Sequence, residues 1–266
     1  MTGADVLSRR EIALVLDKLT RQTRSSQGEG THAHQRMIIF RLTIGAGLRV
    51  SEIAALNIED VIVAGDRPHI RVRARTAKRR KARMVPIWWD CGTWDALAYW
   101  LRVRREEMLA GETDPLVCVL VDKLNTSRVV FPPKRERSVP GARLTRPSIY
   151  AKWMTAVRCL GKQRCRQIHP HSGRHTFASY MLAERSLPEV RDALGHSSAA
   201  ITSLYLHTLP EDLDRRGNVF RGAPPPPPPP ERPKPLPPPD LRSALPIDRL
   251  LAEYAKREKR EKKRKP

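Results

Sequence analysis

Seven consecutive prolines, residues 224–230, set the outer limit of any globular domain in this chain. Proline fixes φ and lacks an N–H, so a run of prolines adopts polyproline II instead of a helix or an inner strand. We therefore predict a linker over residues 223–240, acting as a semi-rigid spacer or a docking ligand, and one globular domain over residues 1–222. Residues 241–266 join a short apolar stripe to a basic end, typical of a disordered tail or of an amphipathic helix that docks on a neighbouring subunit.

The hydrophobic pattern within residues 1–222 changes from helical period to alternation and back. Ser8 and Glu11 form a capping box ahead of an apolar stripe, which predicts an N-terminal helix. Between Glu59 and Ile87 apolar residues alternate with charged ones, which predicts three strands joined by tight turns. The predicted fold is α+β, mainly helical, with a small three-stranded antiparallel sheet. The predicted helices cover residues 8–20, 33–46, 50–56 (capped by Ser51), 93–109, 145–160, 171–185 and 188–194, and a further short helix from Ser198 is predicted to carry Tyr205.

Positive charge points to the class of partner. The net charge is +22 and the sequence pI is ≈ 10.7, and +16 of that charge lies on residues 1–222. We expect a polyanion to dock on such a domain, with nucleic acid favoured over a membrane surface. Residues 67–83 hold nine Lys or Arg and no acid, and charge laid along a strand and its turn more often follows a phosphate backbone than forms a solvated face. The predicted DNA-binding residues are Arg71, Arg73, Arg75, Arg79, Arg80, Lys81 and Arg83.

The sequence shows no pattern typical of a metal site or of a membrane-spanning segment. The four cysteines form no C-x-x-C pair and stand near no histidine at zinc-finger spacing, so we predict reduced thiols, no metal and no cofactor. No apolar run reaches membrane-spanning length, and the polar N-terminus does not resemble a signal peptide. We expect a cytoplasmic, nucleoid-associated protein of bacterial, phage or plasmid origin.

An anion site is predicted where Pro170 opens a helix. Proline suits the first helical turn, and the free N–H groups and macrodipole of a helix N-terminus attract anions. His171 lies in this turn, and Arg174 follows three residues later on the same face. A forked guanidinium and an imidazole at a helix N-terminus are suited to binding a phosphate.

Other residues that could bind or act on a phosphate lie at turns of the predicted fold. Arg49 follows a glycine-rich turn with Glu52 three residues on to hold it, Lys78 lies at or beside a hairpin tip, and His196 follows the helix-ending Gly195. Arginines can brace phosphate oxygens, a lysine can protonate a leaving oxygen, and a phenol activated by a base or by cations can attack phosphorus. The candidate catalytic residues are Arg49, Lys78, His171, Arg174, His196 and Tyr205.

These motifs together resemble the catalytic domain of the tyrosine recombinases, also called the phage integrase family. G-L-R-V-S-E-I-A-A-L at 47–56 resembles the first arginine box, and K-R-R-K-A-R-M-V-P-I at 78–87 the lysine hairpin. H-S-G-R-H-T-F-A-S at 171–179 matches the H-x-x-R box, L-G-H-S-S at 194–198 matches the second histidine box, and Tyr205 stands nine residues after His196. Any single box is weak, but the set in this order is specific.

The resemblance implies a DNA strand transferase that needs neither ATP nor a divalent metal. Arg49 and Arg174 would clamp the scissile phosphate, with Glu52 as the acidic helper. Lys78 would be the general acid for the leaving 5′-oxygen, and His171 would assist proton transfer. His196 would stabilise the transition state, while Tyr205 would form a 3′-phosphotyrosyl link.

The resemblance also implies partners, and this chain departs from the family pattern in two ways. Double-stranded DNA and a homotetrameric synaptic complex are expected, with a monomer as the free form. The match covers residues 7–208 and includes no N-terminal core-binding domain, for which an accessory protein is a candidate replacement. Gly173 stands where family members usually carry leucine, which we expect to remove a packing contact without changing the chemistry.

Two other functions fit the same residues. A type IB topoisomerase uses similar groups to relax supercoils without pairing sites. A DNA-binding accessory protein could keep the fold and perform no recombination alone. Covalent attachment to DNA separates the accessory protein from both enzymes, and a requirement for paired sites separates the two enzymes.

Overall fold

The computed structural model describes residues 6–24, 29–74, 81–120, 139–196 and 202. All of them belong to the first of the two units, Met1–Pro225 and Pro226–Pro266, into which the chain divides. The predicted linker and tail lie outside the described residues, so the domain boundaries at 222 and 240 stay a prediction.

Eight α-helices and one three-stranded sheet occur in the described ranges, which confirms the prediction of a mainly helical α+β domain. The helices are α1 (Arg9–Thr23), α2 (Glu29–Ile44), α3 (Val50–Ala55), α4 (Cys91–Arg102), α5 (Arg146–Val157), α6 (Lys162–Gln167), α7 (Pro170–Leu182) and α8 (Leu187–Leu194). The strands are β1 (Val61–Ile62), β2 (His69–Val72) and β3 (Arg83–Pro86).

Helix α2 is the centre of the domain. It packs against α1, α4, α5 and α7, and its side chains Ile38, Phe40 and Leu42 are buried. A helix packed by others on several sides has little surface to present to water, and the apolar residues 37–40 and 42 of this helix supply much of that packing. Helix α2 also contacts α3, and the candidate site includes Glu52 on α3 and Arg174 on α7, which lie 4.0 Å apart.

The sheet is a simple antiparallel meander in the order β1-β2-β3. Ile70 pairs with both Val61 and Val85, and these three side chains are buried. Arg71 pairs with Met84 on the opposite, exposed face. Strand β3 also packs against α8, so the sheet is joined to the helical part near the end of α8.

Helix boundaries mostly follow the capping signals. Ser8 caps α1 with the predicted capping box, and Thr145 caps α5 with proline in its first turn. The prediction that Ser51 caps α3 was wrong: Arg49 is the cap residue, and the Glu52 carboxylate accepts the N–H of Arg49 at 2.9 Å. A glutamate three residues beyond the cap satisfies that N–H with its side chain.

The single helix predicted over residues 93–109 was also wrong in its second half. Helix α4 ends at Arg102 and continues as a π-helical turn, Val103–Glu107. Within this wider turn Arg104 is buried and donates to the Pro115 carbonyl oxygen at 3.0 Å. The sequence pattern does not indicate this local change in helical winding.

Gly173 lies where α7 crosses α2 at close range. A Cβ at this position would lie 2.5 Å from Thr43 Oγ1 and 2.8 Å from Thr43 Cβ. Two hydrogen bonds hold the Thr43 hydroxyl in place, one donated to the Phe40 carbonyl at 2.7 Å and one accepted from Trp153 Nε1 at 2.9 Å. The missing side chain therefore allows the two helices to approach, which is a larger role than the loss of one packing contact that the sequence suggested.

We expect Gly173→Ala to lower the melting temperature, because overpacking at about 1–3 kcal/mol outweighs the gain of about 1 kcal/mol from helix propensity. Thermal unfolding followed by circular dichroism measures the change. Gly111→Ala is the matched control, since a Cβ there would meet nothing closer than Asp114 Oδ2 at 3.9 Å. A Gly173→Ala protein that melts at or above the wild-type temperature would contradict the close crossing.

Candidate active site

The turn between α2 and α3 brings Arg49 to the site. Gly47 adopts φ +60°, which favours glycine, and a Cβ there would lie 2.5 Å from Phe177 Cδ1 on α7. The turn is therefore pressed against α7, and the Gly47 carbonyl faces Arg174. Arg49 follows two residues later as the cap of α3, with its side chain 20% exposed.

A buried carboxylate, Glu52, joins two of the arginines. Arg49 Nη1 donates to Glu52 Oε1 at 3.0 Å. Arg83 donates from both terminal nitrogens, at 2.8 Å to Oε1 and 2.9 Å to Oε2. Burial by itself would raise the pKa of Glu52. The hydrogen bonds and charge of Arg83, the N–H of Arg49 and the charge of Arg174 outweigh it and lower the pKa to about 2. Glu52 is therefore an anion at any physiological pH.

Arg174 is held from both sides by main-chain oxygens. Its side chain is 2% exposed, one terminal nitrogen donates to the Gly47 carbonyl and the other to the Leu194 carbonyl. Arg174 Nη1 also lies 4.0 Å from Glu52 Oε2. The guanidinium thus links the α2–α3 turn to the end of α8.

His196 stands directly after the turn that ends α8. Gly195 is left-handed at φ +65°, as its place at a helix C-terminus predicts, and the His196 N–H donates to the Arg191 carbonyl at 3.1 Å. Burial, followed by the charges of Arg174, Arg49, Arg83 and His171, lowers the pKa of His196 to about 4. Its Nδ1 lies 2.9 Å from Thr202 Oγ1. The ring is therefore neutral at pH 7, and it can donate or accept a hydrogen bond without adding charge to the site.

An open cleft lies beside this network. Its volume is ≈ 250 Å³. The lining residues are Arg49, Val50, Ser51, Tyr150, His169, Pro170 and His171. His171 is exposed in the first turn of α7, whereas Arg174 one turn later is buried, so the two do not present one common surface as expected. The cleft combines a guanidinium, two imidazoles and a helix N-terminus, which are all groups that favour an anion.

The described structure gathers four of the six predicted catalytic residues, together with Glu52. Arg49 and Arg174 both pair with Glu52, His196 lies within range of the charge of these arginines, and His171 shares a cleft with Arg49. Lys78 and Tyr205 lie outside the described residues. In the part of the chain that is described, no three His, Cys, Asp or Glu side chains gather as a metal ion would require.

The predicted DNA-binding residues have differing surroundings. Arg71 and Arg73 contact acidic partners, with Arg73 Nη2 2.6 Å and Arg71 Nε 3.5 Å from Asp60 oxygens. Lys81 is exposed, whereas the Arg83 side chain is 7% exposed and bound to Glu52. Arg75, Arg79 and Arg80 lie outside the described residues. Contact of these residues with DNA stays a prediction.

Sequence reasoning missed the place of Arg83 in this site. It was grouped with the surface arginines of residues 67–83. A signal was present, because Arg83, Val85 and Ile87 alternate along one strand and therefore share a face, and Val85 and Ile87 are buried. The main-chain partners of Arg174 could not be read from side-chain identities at all.

Comparison with known proteins agrees with this geometry. The sequence matches the phage integrase family over residues 13–212, which is most of the chain. The chain belongs to the phage integrase family. No helix among the described residues has both the length and the apolar character to cross a membrane.

Relatives within the family are tyrosine recombinases. The chain is similar to tyrosine recombinase XerC of Roseiflexus sp. (strain RS-1), with 29% identity over 64% of this chain and 46% of the relative. It is also similar to tyrosine recombinase XerC of Actinobacillus pleuropneumoniae serotype 7 (strain AP76), with 30% identity over 71% of this chain and 51% of the relative. The chain therefore spans about half the length of these curated relatives.

Solved structures support the fold of the family. The chain resembles the crystal structure of XerA recombinase with a TM-score of 0.54 and 22% identity, over 78% of this chain and 59% of that one. It resembles XerH site-specific recombinase bound to palindromic difH substrate with a TM-score of 0.54 and 21% identity, over 76% of this chain and 49% of that one.

The depressed pKa of His196 predicts how stability depends on pH. Between pH 6.5 and about 4, the unfolded chain binds a proton that folded His196 does not. Its contribution to stability is therefore complete above pH 6.5 and is lost as the pH falls through about 4. Urea unfolding at pH 7 and pH 5 should show a smaller loss of unfolding free energy for His196→Gln than for wild type. Equal losses would mean that His196 titrates normally.

Proposed function

We propose that this chain carries the catalytic domain of a site-specific DNA recombinase that cleaves and rejoins strands through a covalent 3′-phosphotyrosyl link to Tyr205. The observation that carries the proposal is the gathering of Arg49 and Arg174 at one buried carboxylate, with His196 close enough to feel the charge of both arginines. Membership of the phage integrase family and the similarity to the XerC tyrosine recombinases support it.

In this proposal the arginines stabilise the negative charge of the transition state. Arg49, a lining residue of the cleft, and Arg174 brace the non-bridging oxygens of the scissile phosphate, where negative charge grows during attack. His196 adds a hydrogen bond from a neutral ring, since its pKa of about 4 leaves it uncharged at pH 7. The Glu52 carboxylate fixes the direction of Arg49, because it accepts hydrogen bonds from both the side chain and the main-chain N–H of Arg49.

The bond changes are assigned to Tyr205 and Lys78. The phenol oxygen of Tyr205 attacks phosphorus, its proton passes to a neighbouring base with the assistance of His171, and the bond to the 5′-oxygen breaks as Lys78 protonates that oxygen. In the second step a 5′-hydroxyl attacks the phosphotyrosyl phosphorus and the phenol leaves. The phosphodiester energy is kept in the link, so neither ATP nor a divalent metal takes part.

The proposed partners follow from this chemistry. Double-stranded DNA is the substrate, and exchange between two sites requires four copies of the chain in a synaptic complex. XerH, which has the same fold, is described as a site-specific recombinase bound to difH substrate in a post-cleavage complex. A Pro-rich linker over 223–240 and a basic tail over 241–266 extend the catalytic domain. We place the protein in the bacterial cytoplasm, associated with the nucleoid.

Trapping the covalent complex tests the function directly. A nicked suicide duplex loses its 5′-hydroxyl fragment after cleavage, so wild-type protein should accumulate a protein–DNA band on a denaturing gel. Tyr205→Phe should form none, because it has no hydroxyl to attack phosphorus. Tyr99→Phe, which alters an exposed tyrosine on α4, should behave as wild type. Binding without any covalent band across many sites would favour the accessory protein, and relaxation of supercoils on any sequence would favour the topoisomerase.

The general acid has its own substrate test. Lys78→Ala should slow cleavage of ordinary DNA by about 100-fold or more, the range of a lost general acid. A substrate with 5′-bridging sulfur has a leaving group that needs no proton, so the variant should cleave it at close to the wild-type rate. Equal slowing on both substrates would remove Lys78 from the role.

A further inference from the structure

A second open cleft lies next to the first. Its volume is ≈ 350 Å³. Three of its lining residues are arginines, Arg73, Arg143 and Arg146, and the other lining residues are uncharged. Ser51 lines this cleft as well as the first one, so the two clefts are adjacent. A concave surface whose charged residues are all arginines is suited to an anion.

Both clefts lie along the contact between α3 and α5. These two helices pack against each other. On α5, Arg146 lines the second cleft and Tyr150 lines the first. Residues four apart share one face of a helix, and they are separated by about 6 Å along its axis. An extended anion that runs along this face of α5 therefore reaches both clefts.

Arg143 is held in the second cleft by uncharged partners. Its Nη1 donates to the carbonyl oxygens of Ala54 at 2.9 Å and Leu56 at 3.0 Å, and its Nη2 donates to Asn57 Oδ1. Carbonyls at the C-terminal end of a helix have no partner within the helix, so this guanidinium also closes the end of α3. These oxygens hold the side chain without bringing a negative charge into the cleft.

Arg146 differs from the other arginines of this cleft in its surroundings. It is the first residue of α5 and is exposed. No hydrogen bond or ion pair joins its side chain to another residue of the described ranges, whereas Arg73 Nη2 lies 2.6 Å from Asp60 Oδ2. The N–H groups of a helix N-terminus favour an anion as well. Arg146 can therefore bind an incoming anion without first giving up a partner.

We propose that the second cleft binds a backbone phosphate of the DNA strand whose scissile phosphate enters the first cleft, and that Arg146 donates to it. This rests on the proposed function, which makes DNA the substrate. Successive phosphates of one strand are about 3.4 Å apart along the duplex axis, and Arg146 and Tyr150 are about 6 Å apart along α5. The second phosphate therefore lies within about two nucleotides of the scissile one, and Arg146 positions the strand without taking part in the bond changes.

The alternative is that Arg146 contacts the edge of a base. A contact to a phosphate carries no sequence information, whereas a contact to a base edge does. Loss of a phosphate contact weakens binding about equally on all sequences and makes its dependence on salt shallower. Loss of a base contact weakens binding on some sequences more than on others. The two roles are therefore separated by measurements on more than one duplex.

The variants are chosen to leave the fold intact. Arg146→Ala removes an exposed side chain that holds no other described residue, whereas a change of Arg143 would also open the end of α3. Arg146→Lys keeps the charge. Arg10→Ala is the matched control, because Arg10 is also exposed in the first turn of a helix, α1, and lines neither cleft.

The first readout is the affinity of the full chain for random-sequence duplexes between 50 and 200 mM salt. Each phosphate contact adds about 0.9 to the slope of log affinity against log salt. Over this range wild type should therefore lose about three- to fourfold more affinity than Arg146→Ala. Arg10→Ala and Arg146→Lys should follow wild type. Equal slopes for Arg146→Ala and Arg10→Ala would overturn the proposal, and so would a loss that varies with sequence at an unchanged slope.

The second readout locates the phosphate. Single methylphosphonate linkages, which carry no charge, are placed in turn along a duplex that binding to the full chain enriches from a random pool. One such linkage should weaken binding of wild type and of Arg10→Ala but cause no further loss in Arg146→Ala. It should lie on the cleaved strand within about two nucleotides of the bond that is cut in the nicked duplex. A linkage farther away, one on the other strand, or none at all contradicts the proposal.

The outcomes separate this proposal from the proposed function. If wild type forms no covalent complex, the recombinase proposal fails, and the salt slopes with the linkage coupled to Arg146 decide whether the second cleft binds a phosphate. If wild type cleaves and Arg146→Ala equals Arg10→Ala in both readouts, the second cleft binds no phosphate and the recombinase proposal stands. If the random pool yields no preferred sequence, the salt slopes alone decide.

Discussion

The carboxylate of Glu52 lies buried among three guanidinium groups that come from separate elements: Arg49 before α3, Arg83 on β3 and Arg174 on α7. Leaving a buried charge without its partner costs about 3–5 kcal/mol, so these elements are held in one arrangement while the ion pairs persist. Glu52 fixes the direction of Arg49, and burial together with the surrounding cations lowers the pKa of His196 and keeps it neutral. The placement of the three guanidinium groups thus depends on one buried anion.

Local signals in the sequence predicted the elements that carry the site. Pro170 begins α7, Gly195 ends α8 in the left-handed conformation, and the alternation of Ile70 and Val72 with arginines gave a strand of the sheet. Each of these signals acts within a few residues of the feature that it determines, through a fixed φ, a left-handed turn or the period of a strand. The motif spacing then predicted which side chains the fold would bring together; Arg49 and Arg174 do pair with one carboxylate, and their charges act on His196.

What the sequence did not predict depends on contacts between distant segments. Gly173 is required by the position of Thr43 on another helix, and no neighbouring residue records that approach. Arg83 lay within a run of basic residues whose charge suggested a surface, while its place on the apolar face of β3 indicated burial. Charge composition predicted that this residue is exposed, whereas the strand period predicted that it is buried. The strand period was right, because a buried carboxylate pairs with the buried guanidinium. The change to a π-helical turn after Arg102 likewise has no local signal in the sequence.

Arg174 is braced by the carbonyl oxygens of Gly47 and Leu194, and this choice of partners has a consequence for how the site can vary. A carbonyl belongs to the backbone, so it is present whatever side chain the residue carries. The hydrogen bonds of Arg174 therefore depend on the backbone conformation and not on the side chains of its partners. Replacing Leu194 with another residue leaves the acceptor in place. Substitutions can change the side chains beside this arginine without breaking its hydrogen bonds, provided that the backbone conformation of the α2–α3 turn and of the end of α8 is retained.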